Sequence, residues 1–299
     1  MSKNLLFTCF ASPADGESEN LKPKESYYKN ACVCLISAKL MNPNLDVMFI
    51  VNRLVPQKYR DLLEEADIKI LNIPFNNFVF QKNYKWNLAF FKLCAFGEAL
   101  KLDYDKFVLI DVDTYTSMNL DNVLSELDYS ILLYDISHGL NTTNYQEFLK
   151  EVYEFQNDLH YITHFGGEFI ATNKSNGLDL FEKMVSIYNR MKERNFITTK
   201  GDEFILSIAA SSFKNVIKNA APYICRYWTR SFRLINTNYM FNRVCIYHVP
   251  SEKKYGLIKI YNYYCRRRSF PRDKKTWKYL HLSKDYFLCK IKRLFEFKK

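Results

Sequence analysis

The sequence predicts an α/β fold built on a mainly parallel sheet, and two observations carry the prediction. Through the first 115 residues, short apolar runs alternate with helix-period segments, giving the order β-α-β-α-β-α-β. Right-handed crossovers wind that order into parallel strands. The fourth strand, Phe107-Val108-Leu109-Ile110, is followed at once by Asp111-Val112-Asp113. Period-two geometry sends both carboxylates to one side of the strand at its carboxyl end, where open α/β sheets bind their ligands.

Taken in order, the expected elements are strand 4–11, helix 26–41, strand 46–52, helix 56–66, strand 68–74, helix 86–101 and strand 107–113. The opening run from Leu5 to Phe10 is too short for a secretory leader and turns polar at Ser12-Pro13-Ala14-Asp15, so it is expected to be a first strand. Beyond the Asp pair, Tyr129 to Tyr134 predicts another strand and 144–157 a helix. Thr163 to Thr172 reads as a glycine turn at Gly166-Gly167 leading into a strand. Helices are expected over 177–194 and 202–213, followed by a β-leaning stretch from Tyr223 to Pro250.

A chain of 299 residues, 48% hydrophobic and 25% charged, has ample apolar material for a large core. No apolar stretch approaches the roughly 20 residues that span a bilayer. The eight cysteines are scattered in apolar surroundings without the paired spacing of a zinc site. They are expected to be reduced, which with the absence of an export signal favours a cytoplasmic protein. The net charge of +11 is local: residues 251–299 hold 16 Lys and Arg against 4 Asp and Glu, leaving 27 basic and 28 acidic residues before them. The expected organisation is a body over 1–256 and a basic C-terminal extension over 257–299.

Two carboxylates held together require a cation, and at a strand's carboxyl end the fitting occupant is a divalent metal carrying a phosphorylated ligand. The first strand is followed by neither Gly-x-Gly-x-x-Gly nor a Gly-x-x-x-x-Gly-Lys-Ser/Thr loop, so metal and side chains are left to hold the phosphate. Asp103-Tyr104-Asp105 repeats the pattern but precedes the strand, and it reads as a solvated turn. Gly166 and Gly167, in a chain with only eight glycines, mark close backbone approach. Asp202 and Glu203, after Lys200-Gly201, open a helix, where Asp202 is a plausible N-cap. His248 ends the run Val244-Cys245-Ile246-Tyr247; its imidazole could complete the coordination of a Mn²⁺-type ion, with Lys253 and Lys254 free to meet phosphates. His164, beside the glycines, is the next histidine to line such a site.

These residues together resemble the GT-A fold glycosyltransferases, and within them the glycogenin-like family 8 enzymes. The resemblance rests on Phe91-Lys92-Leu93, on Tyr104 through Thr114, on Phe165-Gly166-Gly167-Glu168-Phe169, on Gly201 through Leu206, and on His248 with its downstream lysines. It covers residues 4–256 and implies a Rossmann-like, mixed and mainly parallel sheet that binds a nucleotide sugar, with UDP the expected nucleotide. It also implies transfer of a hexose-type sugar to a glycan or glycolipid acceptor of the lipopolysaccharide or capsule type. Asp111, Asp113 and His248 would bind Mn²⁺ (or Mg²⁺); Lys92, Ser12, Gly166, Gly167, Lys253 and Lys254 would line the donor; Asp202 and Glu203 would stand at the reacting face. Three departures stand out. Glu203 replaces the usual Gln after Gly-Asp, Gly-Gly-Glu replaces the usual Asn-x-Gly, and the His-x-x-Gly-x-x-Lys-Pro-Trp ending survives only as His248, Lys253, Lys254 and Gly256 in altered spacing. Retention is the family's stereochemistry; under inversion Asp202 or Glu203 would be the base.

Two other classes compete. A haloacid-dehalogenase-like phosphatase also has a strand followed by Asp-x-Asp, but it wants Thr or Val where this chain has Tyr115, and its motif lies near the start of the chain. A non-enzymatic binding protein would use the basic tail. Arg266-Arg267-Arg268, Arg272, Lys274 and Lys275 precede a helical stripe of Trp277, Leu280, Phe287, Ile291 and Leu294. That basic amphipathic C-terminal helix suits an anionic membrane surface, peripheral on the cytoplasmic face, better than nucleic acid.

Overall fold

The computed structural model describes residues 3–12, 25–81, 84–157, 161–229 and 244–282. Its centre is a seven-stranded sheet of β1 (Asn4–Phe10), β2 (Asp46–Val51), β3 (Ile68–Asn72), β4 (Lys106–Ile110), β6 (Ile131–Asp135), β7 (Phe165–Asn173) and β8 (Ile217–Asn219), in the order β3-β2-β1-β4-β7-β6-β8. Strand β7 runs antiparallel to both β4 and β6, and the other pairs are parallel. The sheet is therefore mixed and mainly parallel, as the sequence predicts. Because β7 is reversed, its first residues lie at the same edge as the carboxyl end of β4.

Both faces of the sheet are covered, which is why its strands read as continuous apolar runs. In β1, Leu5 and Phe7 enter one core while Leu6 enters the other. The first core is closed by α3 (Phe91–Leu100), α5 (Thr143–Gln156), α6 (Lys174–Glu193) and α7 (Asp202–Ala210). The second is closed by α1 (Glu25–Met41), α2 (Gln57–Glu65) and α4 (Asp121–Glu126). Fully buried aromatics such as Phe7, Phe49, Phe96 and Phe107 each contribute about 2–3 kcal/mol of burial.

A second sheet of three strands, β5 (Thr114–Thr116), β10 (Ile246–His248) and β9 (Ile224–Arg226), in the order β5-β10-β9, sits beyond β4. Neither β5 nor β8 is predicted by the sequence, since three residues carry too little periodicity to register. Four other features differ from expectation. The strand predicted over 107–113 ends at Ile110, and Asp111-Val112-Asp113 form a turn in which Thr114 Oγ1 donates to the Asp111 carbonyl at 2.8 Å. Gly166 and Gly167 lie inside β7 and make no turn. The helix predicted from 86 begins as a 3-10 turn over Asn87–Phe90. At α7 the N-cap is Gly201 at φ +66°, so Asp202 is the first helical residue.

The chain after His248 continues as α8 (Gly256–Arg267), which lies against α1, and α9 (Asp273–Tyr279). Leu257, Ile260 and Leu280 are buried in a third cluster with Tyr115, Tyr227 and Tyr247. Helix α9 stops at Tyr279, and His281 takes a left-handed φ of 57°. The apolar stripe predicted from Trp277 is thus interrupted there, and its members Phe287, Ile291 and Leu294 lie outside the described residues. All seven cysteines among the described residues are free thiols.

Candidate metal centre

Strand ends and the second sheet bring together side chains far apart in sequence. The antiparallel register of β5 and β10 sets His248 opposite Thr114, and Val249 N donates to the Asp113 carbonyl at 3.0 Å. His248 Nε2 thereby lies 3.2 Å from Asp113 Oδ2 and 3.8 Å from Asp111 Oδ2. One ligand atom from each of Asp111, Asp113 and His248 can be chosen so that all lie within 4.8 Å of one another. Asp113 and His248 are buried, and Asp111 is partly exposed.

The donor set fits a divalent cation. Neither carboxylate oxygen of Asp113 completes a hydrogen bond among the described residues, and His248 Nε2 completes none either. Buried polar atoms left this way are rare and costly. Two carboxylate ligands and one imidazole suit a Mn²⁺-type ion.

Lysines flank the trio. Lys92 Nζ, from α3, stands 2.8 Å from Asp111 Oδ1 and 3.2 Å from Asp202 Oδ2; Lys253 Nζ stands 3.2 Å from Asp113 Oδ2. Burial opposes the charge on Lys92, but Asp111 and Asp202 outweigh it and hold the ammonium's pKa well above its usual value. Burial likewise opposes ionisation of Asp113, and His248 and Lys253 reverse that, holding it well below the usual carboxylate range. For Asp202 burial wins against Lys92, and its pKa rises to about 6.

Glu203 points elsewhere. Its Oε1 lies 3.0 Å from Arg226 Nη2 and its Oε2 lies 3.3 Å from His164 Nε2, while His164 stacks on Phe148 at 4.2 Å. Burial raises its pKa, but His164 and Arg226 prevail and keep it ionised. Arg226 also makes a two-pronged contact to Glu168, and Glu168 reaches His248 Nδ1 at 3.3 Å.

The paired glycines now have a physical reason. A Cβ on Gly167 would collide with the Asp202 carboxylate and with Lys92 Nζ; one on Gly166 would collide with the Glu168 carboxylate and with Arg226 Nη2. The close approach is of charged side chains crossing the strand.

Of the residues expected at the site, Asp111, Asp113, His248, Lys92, Lys253, Gly167 and Asp202 converge. Gly166 and Glu203 form its second side around Arg226. Ser12 is buried at the end of β1, where its backbone exchanges hydrogen bonds with Asn52 at 2.8 and 2.9 Å. Lys254 is exposed and makes no ion pair among the described residues. Asp103 and Asp105, the look-alike pair, bind Lys3 at the opposite edge. Sequence reasoning missed Arg226 altogether and gave Glu168 no role. The available signal was a lone charge inside each of two apolar runs, Phe165 to Ala171 and Tyr223 to Trp228, because a charge buried that way needs a partner.

Several solved structures share this arrangement of elements. Mouse xyloside xylosyltransferase 1 in its apo form matches with a TM-score of 0.54 at 13% identity, over 83% of this chain and 97% of that one. An active-site mutant of LgtC matches with a TM-score of 0.58 at 13% identity, over 93% of this chain and 99% of the other. The chain has the GT-A fold. LgtC described as a galactosyltransferase, in complex with donor and acceptor sugar analogues, matches with a TM-score of 0.54 at 14% identity, over 82% and 86%. No family model and no curated protein matches the sequence. Within the GT-A frame the Asp111, Asp113 and His248 trio lies at the carboxyl end of β4, where ligands of open α/β sheets bind.

The trio has a pH signature. Burial lowers the His248 pKa, but Asp113 and Glu168 outweigh it and carry it up to about 9. A base raised this way stabilises the fold below its unfolded value of about 6.5 and loses that contribution as pH rises through the folded value. A metal needs the neutral ring, so its binding strengthens over the same window. Between pH 6.5 and 9 the melting temperature of metal-free protein should therefore lose the His248 contribution while the increment added by Mn²⁺ grows. Differential scanning calorimetry at both ends of the window reads both trends, and a flat Mn²⁺ increment would count against His248 as a ligand.

Proposed function

We propose that the protein is a metal-dependent glycosyltransferase that moves a hexose-type sugar from a UDP-type nucleotide sugar to a glycan or glycolipid acceptor. One observation carries the reading: in a GT-A fold, two carboxylates and an imidazole converge, the buried Asp113 oxygens and His248 Nε2 complete no hydrogen bond among the described residues, and Lys92 joins Asp111 to Asp202. Asp111, Asp113 and His248 would hold Mn²⁺ or Mg²⁺; when bound, such an ion neutralises charge on a departing diphosphate. Lys92 and Lys253 add fixed positive charge beside it.

Asp202, buried and facing Gly167, is the carboxylate at the reacting face. With its pKa near 6 it can hydrogen-bond a sugar hydroxyl as an anion at neutral pH, or accept the acceptor's proton if the reaction inverts. Glu203 is committed to Arg226 and His164, which favours retention without a free second carboxylate in the nucleophile's role.

A thermal-shift screen of nucleotide sugars with and without Mn²⁺ tests the reading. Mn²⁺-dependent stabilisation by one nucleotide sugar is expected, and no shift with any nucleotide would sink it.

Among the described residues no helix is long and apolar enough to cross a membrane. The excess charge of the C-terminal extension favours peripheral attachment to an anionic cytoplasmic leaflet, which suits a lipid-linked acceptor of the lipopolysaccharide or capsule type. Arg266, Arg267, Arg268, Lys274 and Lys275 are exposed on and between α8 and α9, and each contributes about 1 kcal/mol near such a surface. Liposome flotation should show binding that needs anionic lipid and disappears in high salt; equal flotation with neutral lipid would overturn the attachment.

A further inference from the structure

We propose that Glu168, pinned by Arg226, is the positioning residue that fixes the His248 ring for metal binding, accepting a hydrogen bond from Nδ1–H so that Nε2 presents its lone pair to the cation. The inference rests on the metal reading of Asp111, Asp113 and His248. It extends that reading to a carboxylate that touches neither metal nor substrate.

Three independent features point to it. The first is geometry: His248 Nδ1 lies 3.3 Å from Glu168 Oε1 while Nε2 faces Asp113 at 3.2 Å, so the ring's two nitrogens have different partners. The second is the pinning of the carboxylate. Arg226 Nε donates to Glu168 Oε1 at 2.6 Å and Nη2 donates to Oε2 at 2.5 Å, the forked contact that fixes a carboxylate's plane. Register delivers this partner, because Arg226 in β9 sits opposite His248 in β10 and one strand pair supplies both the ligand and the guanidinium. The third is cleared space, since a side chain on Gly166 would occupy the volume that Glu168 and Arg226 share.

Glu168 is completely buried in the middle of a strand that pairs with β4, and its backbone carbonyl accepts from Asp111 N at 3.1 Å. A carboxylate there is costly to keep and is tolerated when fully paired. Fixing the tautomer of a ligating histidine is what such a partner does, and losing it typically weakens metal binding about 10- to 100-fold. The same Arg226 reaches Glu203 at 3.0 Å, which ties the metal side of the site to the first turn of α7.

The test pairs Glu168→Leu with Arg226→Met, removing both partners of the forked contact together and leaving Glu203 its contact with His164. Isothermal titration with MnCl₂ alone gives the affinity, and electron spin echo modulation with ¹⁵N-histidine labelling reports a directly bound imidazole nitrogen. The folded double variant should bind Mn²⁺ about 10- to 100-fold more weakly, with a reduced nitrogen signal. Wild-type affinity together with an undiminished nitrogen signal would overturn the positioning role. Should the double variant fail to fold, the wild-type protein loaded with diamagnetic Mg²⁺ decides instead. A long-range ¹H–¹⁵N correlation should show His248 as the Nδ1–H tautomer, and the Nε2–H tautomer would overturn the proposal. A wild-type protein that binds Mn²⁺ without an imidazole nitrogen, or binds none, would overturn the metal reading and this inference with it.

Discussion

Replacing both carboxylates, Asp111→Asn with Asp113→Asn, should erase the stabilisation that Mn²⁺ and a nucleotide sugar together confer. For wild-type protein with ligand at about 100 times its dissociation constant, linkage gives roughly 2.7 kcal/mol. That corresponds to a rise in melting temperature of roughly 4 °C for a chain of this size. The double variant should show none, because amides supply neither the charge nor the anionic oxygens a hard cation needs. Sugar transfer should fall at least about 10²- to 10³-fold, the cost of losing one preorganised electrostatic group. The variant's own metal-free melting point is the baseline, so any change in fold stability is removed from the comparison. A variant that still gains the wild-type increment would show that the trio does not hold the metal.

Lys92→Met should destabilise the fold strongly. The lysine is nearly buried between Asp111 and Asp202, and removing one partner of a buried pair leaves uncompensated charge, at a cost of about 3–5 kcal/mol. The loss should depend on pH. Asp202 already has a pKa raised to about 6 by burial, and Lys92 is the main group pulling it down, so the variant's value lies higher still. A carboxyl raised in the folded state contributes stability below its unfolded pKa of about 3.9 and loses it as pH rises through the folded value. The deficit should thus be smallest near pH 5, where Asp202 is protonated with or without Lys92, and larger at pH 8. Urea denaturation at the two pH values measures it. A deficit independent of pH would mean that the lost packing of the lysine stem, and not its charge, dominates.

These two variants probe the parts of the site that differ most in how they can be read from the chain. Asp111 and Asp113 are visible because a buried strand must be a continuous apolar run, and a charged pair at its end breaks that run. The β-α alternation is visible for a similar reason, since helix and strand periods follow directly from which faces are buried. The reversed direction of β7 is hidden, because strand direction leaves no trace in side-chain alternation. So is the difference between a glycine turn and a glycine-containing strand: Gly166 and Gly167 lie in β7, and glycine is needed there because charged side chains from α3, α7, β7 and β9 occupy the space where a side chain would lie.

The sequence by itself determined the α/β class, the position of the fourth strand, the carboxylate pair after it, and the concentration of positive charge in the last 49 residues. Each is local, arising from the order of apolar and polar residues within one element. Only the tertiary structure decided that His248 faces Asp113, that Lys92 joins Asp111 to Asp202, and that Glu168, Arg226 and Glu203 form a linked set of charges. Those contacts depend on strand register and on how the helices pack, which bring residues distant in sequence, such as Asp113 with His248 and Lys92 with Asp202, to 3.2 Å. Pairing and desolvation at that distance set the charge states, so the chemistry of the site belongs to the fold.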